Sequence, residues 1–220
     1  MEKIKKDFFE KSAWAQGRLV IGVDEVGRGC LAGPVVTAAV MLKSKRSPLI
    51  KDSKILTKAQ REQASRWIQQ HSWYSIGIAS HHIIDERNIY QATLHAMRKA
   101  IIHLLIKTPE PSHILIDAMP VQLQETSVAH VPIHHAPFGE TWSCSIAAAS
   151  IIAKVYRDAL MERMHLVVPG YHLAEHKGYA TKAHRQAVQE LGGSIIHRES
   201  FIRQEIFVTS ETDDEQLSFF

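Results

Sequence analysis

Two carboxylates stand side by side in Gly22-Val23-Asp24-Glu25-Val26-Gly27-Arg28-Gly29. They close the apolar run Leu19-Val20-Ile21-Gly22-Val23, which reads as a buried strand. Consecutive strand residues point to opposite faces, so both acids serve one site only if the strand ends or distorts there, and Gly27 and Gly29 allow that. Asp117 closes a second apolar run, Ile114-Leu115-Ile116, in the same way. Taken alone, each of these acid sites reads more readily as a solvated turn or a cap. Two strand-end acid sites in one small chain are less easily dismissed. Converging carboxylates cannot all stay ionised without a compensating cation. Oxygen-only ligands select hard cations, Mg²⁺ or Mn²⁺. Such clusters suit two-metal phosphodiester hydrolysis, in which the ions activate water and stabilise the leaving oxygen.

Competing chemistries fit less well. Gly22 to Gly29 resembles a Walker A loop but lacks its lysine and its magnesium-binding hydroxyl, and it puts acids where amides should cradle phosphate. A G-x-S-x-G nucleophile elbow is absent. His172 and His176 are four apart, with His184 farther on, but no H-E-x-x-H glutamate or nearby cysteine supports zinc. Trp14, Trp67, Trp73 and Trp142 are scattered and read as packing residues.

The elements that must carry the acids follow from periodicity and turn chemistry. Strands are expected over 19–24, 34–42, 73–79 and 114–117, the first three as an antiparallel meander. A weaker strand lies at 130–134, where Pro132 confines it to an edge or a bulge. Helices are expected from a Thr57 cap to about His71, over 88–106, over 143–164, and over 181–191, the last closed by Gly192-Gly193. Strands first, then alternating helix and strand, give a mixed α/β sheet. Ligand groups in such sheets gather at strand ends.

The chain has 220 residues, 45% hydrophobic and 22% charged, the profile of an ordinary globular protein. The size suits one domain with a small appendage. No apolar run approaches the ~20 residues of a membrane helix. The opening Met1-Glu2-Lys3-Ile4-Lys5-Lys6-Asp7 lacks the apolar core of a secretory signal. Cys30 and Cys144 are the only cysteines, which excludes a disulfide scaffold and suits a reduced, cytoplasmic setting. The net charge is +3, but Glu211, Asp213, Asp214 and Glu215 are concentrated near the end; without those four, residues 1–210 hold 26 basic against 19 acidic residues, or +7. A modestly basic body suits a polyanionic partner and, equally, a solubilising surface.

Six segments in order resemble the bacterial type 2 ribonucleases H, ribonuclease HII. Val23 to Gly29 followed by Leu31-Ala32-Gly33-Pro34 is similar to the family's first signature. Asp52-Ser53-Lys54 matches its D-S-K element, and Ile116-Asp117 its second acidic strand. Ala147 to Asp158 is similar to its helix signature. His176-Lys177-Gly178-Tyr179, with Thr181 and His184, resembles its C-terminal signature, and His197-Arg198 with Ser200-Phe201 its closing motif. The matches span about residues 19 to 201.

The resemblance implies a ribonuclease H-like α/β fold, a mixed five-stranded sheet flanked by helices, with a C-terminal helical part. The expected divisions are a lead-in over 1–17, a catalytic domain over 18–201 and a polar tail over 202–220. It implies cleavage of the RNA strand of RNA–DNA hybrids, and nicking of duplex DNA 5′ to an embedded ribonucleotide to leave a 3′-hydroxyl and a 5′-phosphate. Asp24, Glu25 and Asp117 carry over as catalytic metal ligands for Mg²⁺ or Mn²⁺. The family's fourth acid, an Asp shortly before the Ala-rich helix, falls on Glu140. That departure places the carboxylate one methylene farther from the backbone, which bears on metal preference or rate. Gly27, Arg28, Gly29 and Tyr179 carry over as the contacts to the ribose–deoxyribose junction. A glycine loop permits close backbone approach to a sugar, and the 2′-hydroxyl distinguishes RNA from DNA. Asp52, Ser53, Lys54, Lys154 and Lys177 carry over as substrate contacts, while Asp158 is read as a structural pairing residue.

Gln216-Leu217-Ser218-Phe219-Phe220 resembles the short Q-L-[SD]-L-F peptides that bind the bacterial sliding clamp, with Phe219 in place of Leu. A flexible terminus with apolar side chains can fold into a pocket on binding. A monomer is expected. Two alternatives are the sister family, ribonuclease HIII, and a catalytically silent hybrid-binding module. Asp24 lies too near the N-terminus for the extra domain of the first, which also usually carries Gly-Lys-Gly in the loop. A full set of acids argues against the second.

Overall fold

The computed structural model describes residues 5–43 and 47–203. Its centre is a five-stranded sheet in the order β3-β2-β1-β4-β5. The strands are β1 (Val20–Val26), β2 (Val35–Leu42), β3 (Ser72–Ala79), β4 (His113–Asp117) and β5 (Ile133–Ala136). β1, β2 and β3 form the expected antiparallel meander, while β4 and β5 run parallel to β1. β5 is an edge strand that begins just after Pro132, whose carbonyl still accepts from the Ile114 amide (3.0 Å).

Both faces of the sheet are covered, which is why β1 and β2 are apolar without alternation. On one face Ala38, Val40 and Leu42 meet α2 (Lys58–His71) and α5 (Cys144–Val167). On the other, Ile21, Val23, Ala39 and Met41 meet α3 (His81–Leu105). α2 starts at a capping box between Thr57 and Gln60. Ser143 caps α5 through the Ile146 amide (3.1 Å). α3 begins earlier than its hydrophobic spacing suggests, capped by Ser80, and breaks at Asn88 (φ 64°, ψ 164°), whose side chain then accepts from the amides of Tyr90 and Gln91.

Two glycines fix how closely the covering helices approach. A Cβ at Gly22 would lie 2.1 Å from the carbonyl carbon of Ser145, so α5 crosses directly over β1. A Cβ at Gly77 would lie 2.0 Å from the Ala96 carbonyl oxygen, so α3 crosses β3 on the other side.

α1 (Phe8–Ala15) seals one end. Asp7 accepts from the Cys144 amide (2.9 Å), and Glu10 from Ser143 Oγ (2.5 Å) and the Ser145 amide (3.1 Å). These acids satisfy buried amides of the first turn of α5 that have no partner within the helix, and they face its positive end. The C-terminal part, with α6 (Leu173–His176) and α7 (Lys182–Leu191), packs a smaller core of Met161, Tyr171, Leu173, Val188, Ile196 and Ile202 against Ala32.

Candidate active site

The acids meet at the C-terminal ends of β1 and β4. The parallel register pairs Val23 with Ile116, so Asp24 and Asp117 leave neighbouring strands at the same level. Glu140 enters from the short helix α4 (Gly139–Trp142). Asp24, Asp117 and Glu140 each offer a carboxylate oxygen, and those atoms lie within 4.8 Å of one another. Asp117 is aimed by its neighbour in the turn, since its Oδ1 accepts from the Gly139 amide (2.7 Å). Asp24 accepts from the Glu25 amide (2.7 Å). Lys54 donates from Nζ to Glu140 Oε1 (2.9 Å).

β1 does not end or distort between the two adjacent acids, contrary to expectation. It continues to Val26, paired with β2 throughout. The reason is the short partner on the other side. β4 stops at Asp117, so β1 beyond Val23 has an open edge there. Side chains leaving opposite faces can meet around that edge, and Asp24 and Glu25 both line one cleft of about 480 Å³. Glu25 stands beside the three-acid cluster and lies 3.8 Å from Arg28.

The electrostatics are those of a site short of positive charge. Burial, then the charges of Glu25 and Asp117, pushes the Asp24 carboxyl well above the usual carboxylate range. Burial pushes Glu25 up to about 7, against the pull of Arg28 and with the help of Asp117 and Glu140. Burial and Glu140 also raise Asp117. Oε2 of Glu25 and Oε2 of Glu140 are buried with no hydrogen-bond partner among the described residues. A divalent cation would supply the missing charge and take up such oxygens, and an all-carboxylate donor set suits a hard one.

The remaining expected contacts separate into two groups. Gly27, Ser53, Lys54, Lys154 and Tyr179 line the same cleft. Arg28 and Gly29 continue the loop from Gly27 toward solvent. Ser53 is buried and shares a hydrogen bond with Ser150 (2.9 Å), while Asp52 turns back to accept from the Lys54 amide (2.8 Å). Lys154 pairs with Asp158 (2.8 Å), which gives Asp158 the structural role expected of it, and sits 5.5 Å from the centre of the Tyr179 ring. Lys177 is not brought to the cleft: its ammonium is held by Glu162 (3.2 Å) and the Ala174 carbonyl. The tail over Gln216–Phe220 lies outside the described residues.

Tyr179 is held through its main chain. The Ser194 amide donates to His197 Nδ1 (3.0 Å), His197 Nε2 faces His184 Nε2 (3.0 Å), and His184 Nδ1 faces the Tyr179 carbonyl (2.9 Å). Only one proton order satisfies this chain: each ring is neutral, His197 donates to His184, and His184 donates to Tyr179. Burial depresses both rings, His197 to about 4, which agrees with that order. Both ring nitrogens of His184 are thus engaged in this chain.

Sequence reasoning missed Ser150, which borders Asp24 in the cleft, and Arg61 on the cleft wall. A hydroxyl inside an otherwise apolar Ala/Ile-rich helix was the available signal for Ser150. Nothing local marks Arg61.

A mixed five-stranded sheet with carboxylates converging where a central strand meets its parallel neighbour defines a ribonuclease H-like nuclease. Comparison with known proteins narrows that class. The chain belongs to the ribonuclease HII family, whose model, described as Ribonuclease HII, matches residues 21–204. It is 45% identical over 204 residues to the ribonuclease HII of Listeria monocytogenes, covering 91% of this chain and 74% of that one. It is 46% identical over 198 residues to that of Geobacter sulfurreducens, covering 89% and 87%. Among solved structures, the ribonuclease HII of Archaeoglobus fulgidus in its complex with PCNA superposes with a TM-score of 0.68, at 25% identity over 82% of this chain and 94% of that one. Bst-RNase HIII in complex with Mn²⁺ shares the fold, with a TM-score of 0.68 at 20% identity over 87% and 70%. The chain is accordingly a hydrolase, an endoribonuclease of RNA–DNA hybrids. No helix among the described residues is long and apolar enough to cross a membrane.

Proposed function

We propose that Asp24, Glu25, Asp117 and Glu140 are the catalytic metal ligands, taking Mg²⁺ or Mn²⁺, and that the chain nicks duplex DNA 5′ to a single embedded ribonucleotide, leaving a 3′-hydroxyl and a 5′-phosphate. The observation that carries this is the convergence of three carboxylate oxygens within 4.8 Å at the strand ends, in a setting that raises the proton affinity of Asp24, Glu25 and Asp117. Divalent ions bound there would activate water and stabilise the departing oxygen.

The chain's own residues do the rest. Gly139 orients Asp117, and Lys54 holds Glu140 toward the cluster despite the longer side chain. Tyr179, partly exposed at the cleft, offers a ring face to the sugar, and Lys154 beside it offers a charge to phosphate. The Gly27–Gly29 loop offers main-chain amides to the ribose. Asp52 and Ser53 shape the turn that presents Lys54.

The test is cleavage of a labelled duplex carrying one ribonucleotide, in Mg²⁺ and in Mn²⁺, beside an all-DNA duplex. A single metal-dependent nick 5′ to the ribonucleotide, lost in Asp24→Asn, is expected. Glu140→Gln should lose at least tenfold in rate, and Glu140→Asp should retain activity. Unchanged activity and metal dependence in Glu140→Gln would remove Glu140 from the set.

We also propose that Gln216–Phe220 binds a sliding clamp. Its support is the sequence of the tail and the relative from Archaeoglobus fulgidus solved with PCNA. Clamp capture by the full chain is compared with capture by a chain lacking 216–220. Equal capture rejects the idea.

A further inference from the structure

The segment from Gly27 to Pro34 is held from beneath by two buried guanidinium groups. Arg198 donates from Nη2 to the Gly27 carbonyl (2.6 Å), from Nη1 to that of Arg28 (2.7 Å), and from Nε and Nη2 to that of Gly33 (3.0 and 2.9 Å). Arg157 donates from Nε to Pro34 (3.0 Å), from Nη2 to Ala32 (3.2 Å) and from Nη1 to Lys177 (2.8 Å). Both side chains are fully buried. Their partners are main-chain carbonyls rather than a salt-bridged carboxylate. Burying a cation in this way carries a large desolvation cost, and apolar residues would fill the same space without it.

What the arrangement does to the loop follows from peptide geometry. Every peptide bond among the described residues is trans. In a trans peptide, the carbonyl of one residue and the amide of the next point in opposite directions. With the Gly27 and Arg28 carbonyls drawn inward onto Arg198, the amides of Arg28 and Gly29 must face outward. Neither has an acceptor among the described residues. The outer edge of the loop is thus made of donors alone, with two buried positive charges behind it. Gly29 adds a second observation. It is exposed, its φ lies outside the left-handed region, and a Cβ there would meet nothing within 4 Å. The chain's own packing does not require glycine at 29, so the space beside its Cα is free for another molecule.

We propose that Arg157 and Arg198 are positioning residues that hold the Gly27–Gly29 loop as a donor-only edge and thereby set its selectivity for a ribose, whose 2′-oxygen can accept, over a deoxyribose. This rests on the reading above that the loop meets the ribose. Arg198 acts on the two peptides that face the sugar. Arg157 ties the far side of the loop to Lys177, next to the segment that carries Tyr179.

The experiment measures binding in the Asp24→Asn background to two duplexes of one sequence, one with a single ribonucleotide and one all DNA. The ratio of the two Kd values is the readout. It does not depend on the fraction of protein that is folded, so a poorly behaved variant still gives an answer. Arg198→Met should reduce the ratio about tenfold, the order expected for losing one well-oriented hydrogen bond. Arg198→Lys should recover part of it, because an ammonium can hold some of the same carbonyls. A ratio unchanged in both variants, or an equal loss on both duplexes as for a phosphate contact, overturns the proposal. Gly29→Ala separates the two levels. Selective weakening by Gly29→Ala with no effect of Arg198→Met leaves the loop reading standing and removes the arginines. No effect of either removes both.

Discussion

Glu25 is a charge that the metal-free fold holds at a disadvantage. Its carboxyl moves from an ordinary 4.5 up to about 7 in the folded chain, chiefly through burial. In the unfolded chain the proton leaves near 4.5, while in the metal-free fold it leaves near 7. Between those values the folded state binds more protons, so this group's contribution to stability falls as pH rises through the window and stays low above it. The displacement corresponds to about 3 kcal/mol. Glu25→Gln removes the charge with little change in shape. The contact it gives up, 3.8 Å to a partly exposed Arg28, is worth little. At pH 8 in chelator, Glu25→Gln should therefore be more stable than the parent chain by up to about 3 kcal/mol, a rise of roughly 6–12 °C in Tm for a chain of this size. At pH 4.5 the two should melt together. Adding Mg²⁺ at pH 8 should raise the Tm of the parent more than that of the variant if, as proposed, the cation supplies the compensating positive charge beside Glu25. Scanning calorimetry at the two pH values, with and without Mg²⁺, reads all of this. Equal or lower stability of Glu25→Gln at pH 8 in chelator would refute the reasoning that this acid is a cost of function.

Other expectations concern the frame around the site. Gly22→Ala places a methyl 2.1 Å from the α5 backbone, so α5 must retreat from β1; a loss above about 3 kcal/mol or failure to fold is expected, and a normal Tm would contradict the crossing. Glu10→Ala leaves the buried Ser145 amide and Ser143 hydroxyl without their acceptor; a loss of about 1–3 kcal/mol by chemical denaturation is expected, and none would show that α1 does not anchor α5. Lys54→Met removes a largely exposed cation, so stability should change by less than about 1 kcal/mol, while the Mg²⁺ concentration for half-maximal cleavage shifts because Glu140 loses its partner; an unchanged metal titration would deny Lys54 a part in holding Glu140.

Much of the frame was legible in the chain itself. Apolar strand runs, the cap at Thr57, the helix starts near Ser143 and Thr181, and the strand-end position of Asp117 are local patterns, and each survives in the fold, whereas β1 runs on past Asp24 to Val26. The Asn88 break was not legible, because the hydrophobic spacing on either side of it stays helical and the break is made by one side chain capping the helix that follows. The pairing of Lys177 was not legible for a related reason: a lysine inside a motif says nothing of which acid will hold its ammonium, here Glu162 on α5.

The sequence by itself determined the order of the elements and marked Asp24, Glu25 and Asp117, since strand propensity, helix capping and a carboxylate beside an apolar run depend on neighbours a few residues away, while Glu140 was marked only by the family resemblance. The tertiary structure alone decided that the acids meet. Asp24, Asp117 and Glu140 come from β1, β4 and α4, and their approach depends on the parallel register of β1 with β4 and on α5 lying close over Gly22. It also decided which face of the Gly27–Gly29 loop looks outward, because that follows from where Arg198, 170 or more residues along the chain, places its guanidinium. Long-range register and the direction of a peptide plane leave no mark on local sequence; they are fixed only when distant side chains compete for the same buried space.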